Sequence, residues 1–465
     1  MKLLLGIWRW LDERTGLGEI IVPLASHLVP PGSRWWYVFG SATLVAFLVQ
    51  VVTGIALATI YIPSTAHAYA SLRYLSEVAP FGAWVRGMHY FGASAMILFV
   101  GVHLTRVFLM ASYKYPREVN WLSGVALLAL TLGMGFTGQL LRWDQNAVWS
   151  TVVGAAQAAR MPLLGPWLVR VVLSGGTIGD ATLSHFFVLH VFVLPLLIAG
   201  LIGLHMHLVL RNGISEPPSS GRPVDPASYR ASYDAMLERV GVPFWPHAAW
   251  RDLTFGALVV AGIAVLGLLI GAPALDRPPD PSVALAQPRP DWYLLWYFAV
   301  LALLPHAVED YVMVLAPLLV GLILLSPPFL SNRGERSMRH RPWAPILVLF
   351  ALASIGALWR AGVRERWMPD FTALPLTAGS VAAEGGRLPA GAVVFNTKGC
   401  LYCHTISGHG GTRGPDLTDV GRRLSHDQVV VRILDGGPNM PAYAKNLTPQ
   451  QLDTLTVFLE SRSHH

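Results

Sequence analysis

HVFVLPLLIAGLIGLH, His190 to His205, is an unbroken apolar run closed at each end by an imidazole. In membrane hydrocarbon a polar ring costs a few kcal/mol unless the protein gives it something to bind. Two such rings in one segment therefore ask for a ligand. An earlier apolar run repeats the arrangement with His89 and His103. Over the fourteen or fifteen residues between the paired histidines, a helix rises roughly 21 Å and completes about four turns. Each pair thus sets its imidazoles on nearly one face at two depths, and two such helices side by side offer two bis-histidine sites stacked across a bilayer.

Composition supports that setting. The chain is 53% hydrophobic and 13% charged, with positive mean hydropathy, far from the usual quarter charged of a soluble domain. The formal charge of +7 does not point to nucleic acid, because the arginines sit in loops between apolar runs, where they read as topology signals. The N-terminal MKLLLGIWRWLDERTG has no small-residue cleavage site and reads as an amphipathic interfacial helix.

Runs long enough to span a bilayer lie at about 36–61, 86–111, 121–141, 184–210, 253–272, 310–330 and 343–360, so seven transmembrane helices are expected. The loops after the second, fourth and sixth runs hold Lys114, Arg117, Arg211, Arg222, Arg230, Arg239, Arg251, Arg333, Arg336, Arg339 and Arg341. Those on the other side hold fewer: Arg73, Arg142, Arg160, Arg170, Arg277 and Arg289. That bias puts the N-terminus in the cytoplasm and, with an odd helix count, the C-terminus outside. Two outer loops follow, 142–183 around Pro162, Pro166 and Gly175-Gly176, and the proline-rich 273–293. The expected architecture is all-α: a haem-type four-helix domain over 1–215, a three-helix domain over 216–365, a linker over 366–390 and a small all-α domain over 391–465.

The tail carries the most specific motif. Both cysteines of the chain lie in Cys400-Leu401-Tyr402-Cys403-His404, so there is no disulfide framework. Cys-x-x-Cys-His attaches a c-type haem: two thiols add to the vinyl groups, and the adjacent histidine is held against the iron. A zinc half-site or redox dithiol is the competing reading, but no second CxxC follows. The sixth ligand is expected at Met440, in Gly436-Gly437-Pro438-Asn439-Met440-Pro441, with His409 and His426 as fallbacks. Covalent haem attachment takes place on the outer face, in agreement with the helix count.

Any single membrane histidine could be a packed core residue; four with matched spacing ask for more. Gly40 and Gly54 in the first run are fourteen apart, as are Gly124 and Gly138 in the third. A porphyrin between two helices needs flanking helices without side chains at its edge. Since the second and fourth helices run in the same direction, His89 pairs with His190 near the outer face and His103 with His205 near the inner face.

VPPGSRWWYVFGSATLVAFLVQVVTG, YPREVNWLSGV, RWDQNAVW, HVFVLPLLIAG and NGIS resemble cytochrome b of the cytochrome bc complexes, most of all the plastid-type (bf) branch, in which a short cytochrome b continues as a separate subunit IV. The likeness covers about the first 360 residues and includes the fifteen-residue histidine spacing of the fourth helix; the tail resembles class I cytochrome c. Pro290-Asp291-Trp292-Tyr293 matches the family's PEWY motif at the outer quinol site, with aspartate one methylene shorter than the usual glutamate as proton acceptor and Tyr293 beside it. The resemblance further implies that Gly154 lines that pocket and that Arg86 pairs with a haem propionate. Asp252 and Arg211 match residues of the inner quinone site, although the second basic residue there is Leu210; His207 reads as an interfacial helix-end histidine. The branch's extra covalent haem needs a cysteine where Val38 stands, so that attachment is excluded.

What the resemblance implies is a core subunit of a quinol:cytochrome c reductase working by a Q-cycle. It would hold two noncovalent b haems and one covalent c haem, with quinol and quinone as substrates. Partners would be a Rieske iron–sulfur protein, a cytochrome c acceptor, membrane lipid and a second copy of the chain, in a bacterial inner membrane. One quinol electron passes through the Rieske cluster to the c haem; the other crosses through the b haems, and protons are released outside. A haem-bearing anchor for a dehydrogenase, without its own quinol oxidation site, is the alternative; a proton-relay transporter leaves the glycine pairs and the tail unused. Which quinone is bound depends on pocket shape, not on any motif.

Overall fold

The computed structural model describes residues 2–175, 177–280, 289–364, 373–381, 386–411, 414–437, 440, 442–444 and 446–462. Part of the expected linker, part of the loop before Pro290, and Gly176, Pro438, Asn439 and Pro441 lie outside them.

Among the described residues, six helices are long and apolar enough to cross a membrane: Phe39–Ala58, Gly82–Leu109, Glu118–Leu140, Asp180–Asn212, Ala249–Leu269 and Trp343–Arg364. These are called here the first to fifth and the seventh span. The expected sixth run forms the helix His306–Leu325, with Tyr311–Leu325 as an apolar stretch. It is shorter than its expected reach to 330 because Pro327 and Pro328 cannot continue its hydrogen bonding and open a separate turn, Pro327–Leu330. The chain is therefore a helical membrane bundle with almost no sheet, and its large apolar side chains face outward; Leu196, Leu268 and Phe350, for example, are exposed. In lipid that exposure carries no penalty, and packing is set by close approach of backbones.

Glycine supplies that approach where two spans touch. A Cβ on Gly87 would sit 2.6 Å from the carbonyl oxygen of Gly267, which lets the second and fifth spans meet backbone to backbone. The second span packs against the first and fifth, and the fourth against the third. Gly362 of the seventh span abuts Leu295 in the same way.

The fourth span is not uniform. Residues Leu189–Val193 form a π-turn, immediately before Pro195. Proline has no N–H to give the carbonyl four residues back, and the wider turn absorbs the mismatch.

The end of the bundle opposite Asp291 is laced together by loops. Lys114 Nζ donates to the carbonyl oxygens of Ser331 and Arg333 at 2.8 and 2.5 Å and to Ser331 Oγ at 3.1 Å. Arg117 reaches the carbonyls of Asn212 and Gly213 and stacks near Tyr229 and Tyr233. Buried Arg336 pairs with Glu216 at 2.5 Å. These bonds join the connections after the second, fourth and sixth spans. The N-terminal segment forms two helices, Lys2–Thr15 and Leu17–Ser26, hinged at Gly16 with φ 63°, and the following Leu28–Val29 pairs antiparallel with Val242–Pro243.

At the C-terminus, helices Ala390–Thr397, His426–Asp435 and Pro449–Glu460 enclose their own core of Phe395, Leu401, Ile406, Val429, Ile433, Leu455 and Phe458. Gly391 has no room for a side chain against Phe458 and the Thr454 carbonyl, so the first and last of these helices cross in direct contact.

Candidate functional site

Each of the four spaced glycines lies against one of the four spaced histidines. A Cβ would sit 3.1 Å from His103 Cε1 at Gly40, 3.3 Å from His89 Cε1 at Gly54, 3.6 Å from His205 Cε1 at Gly124 and 2.6 Å from His190 Cε1 at Gly138. The glycines thus clear space for the imidazoles themselves, a role that the spacing alone did not show.

A hydroxyl stands beside three of these glycines. Thr53 Oγ1 lies 2.9 Å from His89 Nδ1, Thr137 Oγ1 3.1 Å from His190 Nδ1 and Ser123 Oγ 2.8 Å from His205 Nδ1. With Nδ1 as donor, the other ring nitrogen keeps its lone pair for a metal. At Gly40 the preceding residue is Phe39, and His103 has no hydrogen bond among the described residues.

The rings of His89 and His190 face each other with centroids 6.2 Å apart at 73°. Two imidazoles this close could share one metal ion. His103 lies within electrostatic reach of His205. The histidines therefore come in pairs, one pair at each depth.

At the His89 end, three consecutive residues fasten the loop that carries Asp291. Asp144 caps the helix Gln145–Ala159 by accepting from Ala147 N at 2.9 Å and accepts Asp276 N at 3.1 Å. Gln145 exchanges two hydrogen bonds with the backbone of Asp280, at 2.6 and 2.9 Å. Asn146 exchanges two with the backbone of Arg289, at 2.9 and 3.0 Å. Gln139 Oε1 accepts Asp291 N at 3.3 Å. Burial raises the Asp291 carboxyl above its ordinary range, and the nearby Arg142 guanidinium opposes that rise. Tyr293 is buried, its hydroxyl without a hydrogen-bond partner among the described residues and pressed on Gly135, which has no space for a Cβ. Trp292 Nε1 donates to Ser94 Oγ at 3.2 Å. Gly154 lies on Phe136, one position from Gly135 in sequence. Pro290, Asp291, Trp292, Tyr293 and Gly154 thus gather at one end with His89 and His190.

Arg86 is engaged by the loops, donating to Ser76 Oγ at 3.1 Å and to the Pro273 carbonyl at 2.7 Å. Arg106, three residues beyond His103, is the stronger anion candidate. It stacks over Tyr37 at 3.7 Å, with its Nε and one terminal nitrogen buried and without a hydrogen-bond partner among the described residues. Asp252 accepts a hydrogen bond from Ser41 Oγ at 2.7 Å, one residue from Gly40. Arg211 is exposed and makes no ion pair among the described residues.

In the C-terminal domain, Cys400 and Cys403 are not joined in a disulfide, and burial pushes the Cys400 thiol up to about 12. His404 Nδ1 lies 2.8 Å from the Pro415 carbonyl, which leaves Nε2 as the ligating atom. A Cβ on Gly414 would sit 2.7 Å from the same ring. Met440 packs on the domain core. His426 is instead paired with Glu460 at 3.2 Å, and His409 bonds its own loop at Ser407.

The family model Cytochrome b/b6/petB matches residues 24–213 and the model Cytochrome b(C-terminal)/b6/petD matches 278–375. The model Cytochrome C oxidase, cbb3-type, subunit III matches 386–459. The cytochrome b6 of Heliobacterium mobile is 41% identical over 210 residues, covering 45% of this chain and 99% of its own length.

The chain belongs to the cytochrome b/b6 family.

A second member, the menaquinol:cytochrome c reductase cytochrome b subunit of Geobacillus thermodenitrificans, is 38% identical over 220 residues, 45% of this chain and 98% of its own. A solved hyperthermophilic respiratory Complex III superposes with a TM-score of 0.65 at 25% identity, over 85% of this chain and 96% of that one. As a cytochrome b fused to a cytochrome c domain, this multi-pass membrane protein is an electron-transfer subunit of the bc type, with haem b and haem c as its groups. The residues present fit them: paired imidazoles backed by glycine, orphaned donors on Arg106, and two thiols beside a carbonyl-anchored histidine. Sequence reasoning missed Arg106, Gly135, the Asp144-Gln145-Asn146 clasp and the hydroxyls. Of these, Arg106 had a signal, because its place three residues after His103 mirrors that of Arg86 before His89, and so did the hydroxyls, each directly before a spaced glycine.

Proposed function

We propose that the chain is the core of a quinol:cytochrome c reductase with two b haems and one covalent c haem, over the domain boundaries set out above. His89 and His190 hold the outer b haem and His103 and His205 the inner one; Gly40, Gly54, Gly124 and Gly138 keep the ligand rings in place. Cys400 and Cys403 attach the c haem, with His404 and Met440 as its ligands. When bound, the haems supply one-electron chemistry in sequence.

The chain's own residues bind and orient the rest. Asp291, held at its backbone by Gln139, takes a proton from quinol near the outer face. Tyr293 and Gly154 shape the pocket, while Arg86 and Arg106 meet anionic groups at the two ends. Asp252 and Arg211, on the same side of the membrane, serve the inner quinone. The N-terminus is cytoplasmic and the cytochrome c domain lies outside, in a bacterial inner membrane. A Rieske protein, a cytochrome c acceptor and a second copy complete the assembly.

The observation that carries this reading is the facing pair of hydroxyl-anchored imidazoles, His89 and His190, at the end of the bundle that also holds Asp291. A pyridine-haemochrome spectrum of the purified complex tests it. Haems b and c in a ratio of about two to one are expected, and c haem alone would overturn it.

A further inference from the structure

Asp280 is fixed in an unusual way for a loop residue. Gln145, only 2% exposed, grips its backbone N–H and carbonyl from one side chain and donates its own N–H to Arg277 O at 3.0 Å. The clamp uses only the backbone of Asp280, which leaves the carboxylate to bond elsewhere.

It meets the cytochrome c domain, where Asn446 Nδ2 donates to Asp280 Oδ1 at 2.9 Å. Asn446 is itself rigidly held. Its carbonyl accepts from Lys398 Nζ at 2.6 Å, and its N–H donates to the Tyr443 carbonyl at 2.8 Å. Lys398 lies just before the cysteine motif and Tyr443 just after Met440. Buried Tyr443 is within electrostatic reach of Cys400, Cys403 and Asp280 at once. The contact therefore falls on the part of the domain that carries the haem ligands, and on the strand of loop that leads to Asp291.

We propose that Asp280 is a docking point, where the cytochrome c domain seats its haem-bearing face on the quinol-site loop. The functional side of this inference rests on the reductase reading above. Leu376 and Val381 already belong to the core of the cytochrome c domain, so the domain is tethered to the seventh span through the residues between Arg364 and Ala373. The tether makes the second encounter intramolecular, so a contact this small can still be populated. A small contact is also readily released, leaving the domain free to turn toward an acceptor after it has been reduced.

The test uses the full-length complex, in which Cys400 and Cys403 are consumed by haem. Asp280→Cys and Asn446→Cys together, treated with a short bis-maleimide and then cleaved at a site-specific protease sequence placed between Arg364 and Ala373, should leave the two pieces joined. Either single variant should release them. This readout is independent of activity. In parallel, Asp280→Ala and Asn446→Ala should each slow c-haem reduction by quinol at least threefold and leave b-haem reduction unchanged. Absence of the crosslink, or an unchanged c-haem rate in both alanine variants, overturns the docking point. If quinol reduces no haem in the unsubstituted complex, the reductase reading fails, and the crosslink still decides the docking.

Discussion

At the scale of single residues, the four histidine-facing glycines should not be equivalent. A Cβ at Gly138 would press on His190 at 2.6 Å, whereas one at Gly124 would meet His205 at an ordinary 3.6 Å. Overpacking at this level costs about 1–3 kcal/mol. Gly138→Ala should therefore lose the outer b haem, taking the b to c ratio from about two to about one by haemochrome, while Gly124→Ala keeps both. Asp291 makes a second prediction. Burial raises its carboxyl, and only the ionised form accepts a proton. Quinol oxidation should climb with pH through that raised value and fall away below it. Asp291→Asn should slow the reaction roughly 10²-fold and flatten the climb; an unaltered pH profile would remove this residue from the chemistry.

At the scale of elements, the difference between fourteen and fifteen residues becomes meaningful. One residue turns a helix by about 100°, so His190 and His205 on a regular helix would not match the phase of His89 and His103. The π-turn Leu189–Val193 takes in one residue without advancing the face. Deleting Phe192 should convert it to regular helix and preserve both b haems. Inserting one alanine after Ile97, in the second span where the helix is regular, should lose at least one. Optical spectra of membranes carrying each variant decide the matter. The spans were legible because length and hydropathy are local properties, and the histidine and glycine spacings because they repeat within single helices. The sixth helix fell short because Pro327 and Pro328 stop it. The Asp144-Gln145-Asn146 clasp was not legible. It joins residues far apart in sequence, and a lone Gln carries no mark of the partner it will meet.

At the scale of the molecule, the loops opposite Asp291 tie the two cytochrome b segments into one body. Lys114 is 2% exposed and spends all three hydrogen bonds on the Ser331–Arg333 stretch. Lys114→Met should cost about 2–4 kcal/mol, seen as loss of the b-haem spectrum at a lower temperature. The hydroxyl bonds have a consequence on the same scale. A hydrogen bond at Nδ1 makes an imidazole a stronger electron donor and favours ferric iron. Among the described residues His89 and His190 each have one, as does His205, and His103 has none. The outer iron should then have the lower reduction potential, and an electron placed there runs downhill toward the inner one. On that reading Phe39, standing where the other three glycines have a serine or threonine before them, would help to give the proposed membrane crossing its direction.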